Sequence, residues 1–287
     1  MKTLKSFEYL APGTVEEAAS LLAKHKKGAS LIAGGTDLVS MMKDRVTIPT
    51  HLIDLRAISG LDYIQYEKDG GLRVGALTRI ATLKKSDTIR EKYRAIHEAT
   101  ELFATTQVRN MATIGGNICR SAPSADMVPP LLVCDSKVKL IGPKGERTVL
   151  LQDFFTGPGE NALKNEILTE IEVPPRKESW STAFMKLARA VTDLSKVNGA
   201  MAISVTNGKC KDVRIALGAV APTPVRAIKV EEALKGELFD DGIIDEATER
   251  VIEDIAPITD VRSNAEYRTY IAKVLIKRLI NRLMRRD

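Results

Sequence analysis

Apolar positions along the chain change period repeatedly, and the changes divide it into three blocks. In the first, Thr14-Val15-Glu16-Glu17 reads as a capping box opening a helix that runs to about Lys24. A short apolar strand follows at residues 30–33, then Gly34-Gly35-Thr36-Asp37, then a helical period over 38–43. Pro49 ends this stretch, and His51-Leu52-Ile53-Asp54-Leu55 reads as a further strand. The second block opens with a hairpin, residues 63–66 and 72–75 around an Asp69-Gly70-Gly71 turn. Helical stretches are expected at 79–85 and 89–103. A second hairpin is expected at 137–141 and 147–150 around Gly142-Pro143-Lys144-Gly145, and a strand at 168–173. Val173-Pro174-Pro175-Arg176-Lys177 is the candidate linker. The third block has a hairpin, 202–205 and 213–217, about an Asn207-Gly208 turn, and helices from Val230 onward. Strands and helices mix without strict alternation, so the expected class is α+β. The expected divisions are 1–56, 57–175 and 176–287.

Composition narrows the function. With 44% hydrophobic and 28% charged residues among 287, a globular chain is expected. No apolar run is long enough to cross a bilayer, and the first residues lack the apolar centre of a secretory signal, so a cytoplasmic location is expected. The net charge of +6 is too small to argue for nucleic acid. Its densest part is C-terminal: Lys273, Lys277, Arg278, Arg282, Arg285 and Arg286 share a helical pattern with Ile271, Leu275, Leu279 and Leu283. A packed terminal helix with a solvated basic face accounts for it. Cys119, Cys134 and Cys210 stand far apart, and His25, His51 and His97 form no ligand motif, so neither a metal site nor a disulfide framework is expected.

The chemistry-bearing features are two diglycines. Glycine lets backbone N–H groups approach a ligand with no Cβ between, and a helix starting there adds further donors. Ile32-Ala33-Gly34-Gly35-Thr36-Asp37 has that layout, with a Thr36 hydroxyl. Thr113-Ile114-Gly115-Gly116-Asn117 repeats it, with the Asn117 amide and a second hydroxyl. Neither is GxGxxG nor GxxxxGK[ST], so the usual dinucleotide fingerprint and the P-loop are poorly supported. A diphosphate held between two loops is the expectation.

Those residues resemble the FAD-binding medium subunit of molybdenum hydroxylases, the family of xanthine dehydrogenase and aerobic-type carbon monoxide dehydrogenase. Residues 31–38 resemble its first FAD loop. Gln107-Val108-Arg109-Asn110 running into residues 113–117 resembles its second. Glu166-Ile167-Leu168, Ala216-Leu217-Gly218-Ala219-Val220 and Glu266-Tyr267-Arg268 extend the likeness along nearly the whole chain. The resemblance implies two N-terminal α/β subdomains of the PCMH-type FAD-binding fold and a C-terminal α+β domain. It implies cofactor contacts from Leu31, Ile32, Ala33, Gly34, Gly35, Thr36, Asp37 and Leu38, and from Thr113, Ile114, Gly115, Gly116 and Asn117. It further implies Phe103 near the ring system, Asp126 on the nucleotide side, Ile167 or Leu168 packed on the cofactor, a polar contact from Lys186, and Leu194 over a flavin face. Asp37 is the candidate at the flavin edge, where an acceptor would dock.

Carbon monoxide dehydrogenase members often carry tyrosine where Leu194 stands, and the leucine looks more like the xanthine dehydrogenase type. The cysteine-rich segment of the 4-hydroxybenzoyl-CoA reductase type is missing. Thr36 stands where covalently attached flavoproteins can use histidine, so non-covalent FAD is expected. Molybdopterin and [2Fe-2S] clusters are expected only in partners, a large molybdenum subunit and a small iron–sulfur subunit, with NAD, ferredoxin or quinone as final acceptor. Two other readings stay open: a free-standing FAD-dependent oxidoreductase with its own small substrate, and a basic module binding nucleotide or RNA through the C-terminal helix.

Overall fold

The structure, a computed structural model, describes residues 3–175 and 179–284. Arg176 and Lys177 of the expected linker, and Arg285 and Arg286 of the basic stretch, lie outside the described residues.

The first block is a three-stranded parallel sheet in which His51–Asp54 runs between Glu8–Leu10 and Ala29–Ile32. Helix Val15–His25 begins as its sequence dictates. Thr14 Oγ1 accepts from the Glu17 N–H at 3.1 Å, while the Glu17 carboxylate accepts from Gly13 N–H at 2.9 Å. The helix buries Ala18 and Ala19 against Ile53, Leu55, Ile58 and Leu61. Parallel strands must be joined by crossovers, so every strand end that leads into one opens on the same side. The diglycine after Ala29–Ile32 is such an end, the position where open α/β sheets receive ligands.

The second block is a five-stranded antiparallel sheet. The strand at its centre, Ile167–Val173, comes last in this block and pairs with Gly71–Gly75 on one side and Lys137–Gly142 on the other. Both expected hairpins form, Ile64–Glu67 with Gly71–Gly75 and Lys137–Gly142 with Gly145–Leu150. The helix expected over 89–103 is two helices, Asp87–Lys92 and Arg94–Leu102, which meet at Tyr93. Burial decides this break: Tyr93 is 4% exposed and its hydroxyl donates to Pro174 O, which the continuous helical period gave no sign of.

In the third block, Trp180–Leu187, Val197–Thr206, Lys209–Gly218 and Val225–Arg226 pair in chain order. The central hairpin is longer than its apolar core suggests, and Trp180–Leu187 was not foreseen. Strand alternation gives this sheet two buried faces. Met201, Ile203 and Ile215 pack on the C-terminal helix Ala265–Met284, while Phe184, Ala200, Ala202 and Ala216 belong to the second block's core. On that side helix Arg94–Leu102 lies against Trp180–Leu187, and helix Val128–Leu132 lies against the two strands that carry the small alanines. Leu275, Leu279 and Leu283 of the terminal helix are buried as expected. Its basic side is partly neutralised within the fold: Lys273 pairs with Glu249, Lys277 with Asp245 and Arg282 with Glu98. Among the described residues no helix is long and apolar enough to cross a membrane.

Candidate functional site

An open cavity of about 290 Å³ lies between the first two blocks. Leu31, Ala33, Gly34, Gly35, Thr36, Asp37 and Leu38 form one wall; Phe103, Thr113, Gly115, Gly116 and Asn117 form the other; Ile167 and Leu168 of the central strand also line it. Fourteen of the residues singled out from the sequence thus meet around one space. Ile32 and Ile114 alternate away from it into the cores that anchor each loop.

The walls touch through backbone. A Cβ on Gly34 would stand 2.0 Å from Met111 O, and one on Gly115 would stand 2.7 Å from Ala76 O. Only glycine permits either approach. The two loops nevertheless differ. Among the described residues, the N–H groups of Gly34, Gly35, Thr36 and Asp37 donate to no other group of the protein and are free for a ligand. In the second loop Ile114 N–H donates to Thr78 O, Gly115 N–H to Ala76 O, Gly116 N–H to Thr113 Oγ1 and Asn117 N–H to Thr113 O. Those donors are committed. The second loop offers the Asn117 side chain instead, whose Oδ1 is buried with no hydrogen-bond partner. A buried polar atom without a partner is unfavourable unless a ligand supplies one.

Three expected residues lie elsewhere. Lys186 and Asp126 face each other at the seam with the third block, Nζ to Oδ2 2.7 Å, with side chains 4% and 7% exposed. Lys186 also donates to Leu102 O at 3.1 Å, next to Phe103 of the cavity wall. Leu194 is 57% exposed and lines a separate hollow with Arg189, Lys196 and Arg262.

Cys119, Arg120, Leu55, Leu77 and Leu163 line the cavity without having been singled out. Cys119 and Arg120 sit three and four residues beyond Gly116, one helical turn on, a spacing that could have marked them. The three leucines carry no local signal. Burial pushes the Cys119 thiol up to about 12, so it is protonated and a poor nucleophile at neutral pH. Among the described residues no three His, Cys, Asp or Glu side chains gather to hold a metal ion.

Parallel and antiparallel sheets clasping a cavity with free backbone donors, an unpartnered amide oxygen and apolar walls define a dinucleotide-binding module, with an α+β domain packed behind it. Residues 5–176 match the FAD binding domain in molybdopterin dehydrogenase, and residues 182–283 match the CO dehydrogenase flavoprotein C-terminal domain. The chain belongs to this family of FAD-binding flavoprotein subunits. It is 36% identical to the carbon monoxide dehydrogenase medium chain of Afipia carboxidovorans, over 96% of each chain. It is 33% identical to the xanthine dehydrogenase FAD-binding subunit of Escherichia coli O157:H7, over 95% of this chain and 94% of that one. Its fold superposes on a carbon monoxide dehydrogenase chain from Hydrogenophaga pseudoflava with a TM-score of 0.95, at 35% identity and 98% coverage of both.

Proposed function

We propose that this chain is the FAD-carrying electron-transfer subunit of a molybdenum hydroxylase. It receives electrons from the [2Fe-2S] clusters of a small partner subunit, fed in turn by a large molybdopterin subunit, and passes them to an external acceptor such as NAD, ferredoxin or quinone. The observation that carries the reading is the Asn117 Oδ1, buried and unpartnered on the wall of a cavity whose opposite wall presents free backbone N–H groups. Flavin, when bound, supplies the chemistry that joins one-electron donors to a two-electron acceptor.

The chain's own residues bind and position. The first loop donates its backbone N–H groups to the diphosphate. Asn117 accepts from, or with its amide turned donates to, the polar part of the cofactor. Phe103, Ile167 and Leu168, all under 10% exposed, wall the apolar part and exclude water. Asp37 is 69% exposed at the mouth, where an acceptor would approach. Retention is non-covalent, since Thr36 stands in the first loop where covalently attached flavoproteins can use histidine.

The test is an absorbance spectrum of the purified full chain, followed by chromatography of what denaturation releases. Flavin bands with free FAD in the supernatant are expected, as is reduction of that flavin by the reduced iron–sulfur subunit but not by organic substrate alone. A colourless chain that takes up no added FAD would sink the reading. Turnover of a small substrate without partners would favour a free-standing oxidoreductase.

A further inference from the structure

The cavity wall carries two charged side chains, Asp37 and Arg120, and they face each other. Arg120 Nε lies 3.6 Å from Asp37 Oδ2, the side chains being 38% and 69% exposed. Asp37 belongs to the first loop. Arg120 follows the helix that carries the second loop, so the pair crosses from one block to the other over the mouth. An ion pair so open to water contributes little to stability by itself, which leaves its place on the cavity wall to be explained.

A bound diphosphate brings two negative charges into this space. Backbone donors answer part of that charge, but only from the first loop, because the N–H groups of residues 114–117 are already engaged. The helix that follows the first loop and the helix that carries the second have six residues each, too short to add much dipole. Arg120 is the one cation among the described residues that line the cavity. Beyond the loose pair with Asp37 its guanidinium donates no hydrogen bond among the described residues, so its terminal N–H groups remain available.

We propose that Arg120 is the side-chain counter-ion of the cofactor diphosphate. Asp37 holds the guanidinium over the mouth, so that the two blocks are clasped across the bound cofactor. The assignment rests on the FAD reading and adds to it the residue that answers the charge. A guanidinium suits the task because it is always charged and can meet two phosphate oxygens at once.

The experiment is a titration of the flavin-free full chain with FAD, read by quenching of flavin fluorescence, at low and high salt. Arg120→Gln is expected to weaken binding about tenfold at low salt, as loss of one charge-assisted hydrogen bond at a half-exposed site would. The gap should narrow at high salt, and Arg120→Lys should recover most of the loss. Both variants should melt with the wild type, since Arg120 supports no core. Wild-type affinity in Arg120→Gln, a salt-independent gap, or a lysine variant as weak as the glutamine one would overturn the assignment while leaving the FAD reading intact. A wild-type chain that binds no FAD would instead remove the reading beneath it.

Discussion

Lys186 Nζ lies 2.7 Å from Asp126 Oδ2 across the seam between the second block and the third-block sheet. Asp126 Oδ1 also accepts from Ser195 Oγ at 2.5 Å and Asn198 Nδ2 at 2.7 Å, and Lys186 donates to Leu102 O. Two opposite charges are thus buried together, with further hydrogen bonds supplied by Leu102, Ser195 and Asn198. Removing one partner leaves the other charged in a medium of low polarity. Lys186→Met is therefore expected to destabilise the chain by about 3–5 kcal/mol, measured by denaturant unfolding. Adding Asp126→Asn should recover a large part of that loss, because the stranded carboxylate is gone.

Gly34 is fixed by Met111. Gly34→Ala would force the carbonyl of residue 111 away and open the contact between the loops. A loss of about 1–3 kcal/mol in stability is expected, with FAD affinity weakened at least tenfold. Thermal melting and fluorescence titration of the same preparation check both.

Asn117→Ala separates binding from folding. Its Oδ1 has no partner within the protein, so its removal should leave the melting temperature of the flavin-free chain unchanged or higher. FAD binding should weaken by about tenfold, the worth of one buried hydrogen bond. A fall in melting temperature without a change in affinity would contradict the placement.

Acid stability should depend on Glu166, which stands just before the cavity-lining Ile167. Arg147 grips its carboxylate with two hydrogen bonds of 2.7 Å, outweighing burial, and the Lys164 N–H adds a third; together they hold it below its ordinary value of 4.5. The unfolded chain takes up the proton first. The stabilisation is therefore complete above that ordinary value and lost as pH falls through the lower folded one. Arg147→Ala should be less stable than the wild type at neutral pH, by about 1–2 kcal/mol for a half-exposed clamp. The two stability curves should converge as pH falls below the ordinary carboxylate value and through the lower folded one.

All three cysteines should react slowly. Burial pushes the Cys119 and Cys134 thiols up to about 12 and Cys210 to about 11. At pH 8 the thiolate fraction is then far below that of a free cysteine. Disulfide reagents should label the native chain slowly and the denatured chain at once.

The sequence by itself determined what short-range physics decides. The Thr14 capping box, the Asp69-Gly70-Gly71 and Asn207-Gly208 turns, and the two diglycines each act within a few residues, and each forms where its residues call for it. Only the tertiary structure decided which partners meet across long separations. It inserted Ile167–Val173 into the centre of a sheet begun a hundred residues earlier, and it broke the expected helix at Tyr93 to bury that ring. It tied Asp126 to Lys186, and it left Leu194 in a separate hollow. It also engaged the N–H groups of Ile114 and Gly115 with Thr78 and Ala76, while those of the first loop found no partner within the described residues. The reason is physical: a turn or a cap is satisfied by its neighbours in sequence, whereas a buried charge or a free donor is defined by whatever packing brings beside it, and no local pattern encodes that.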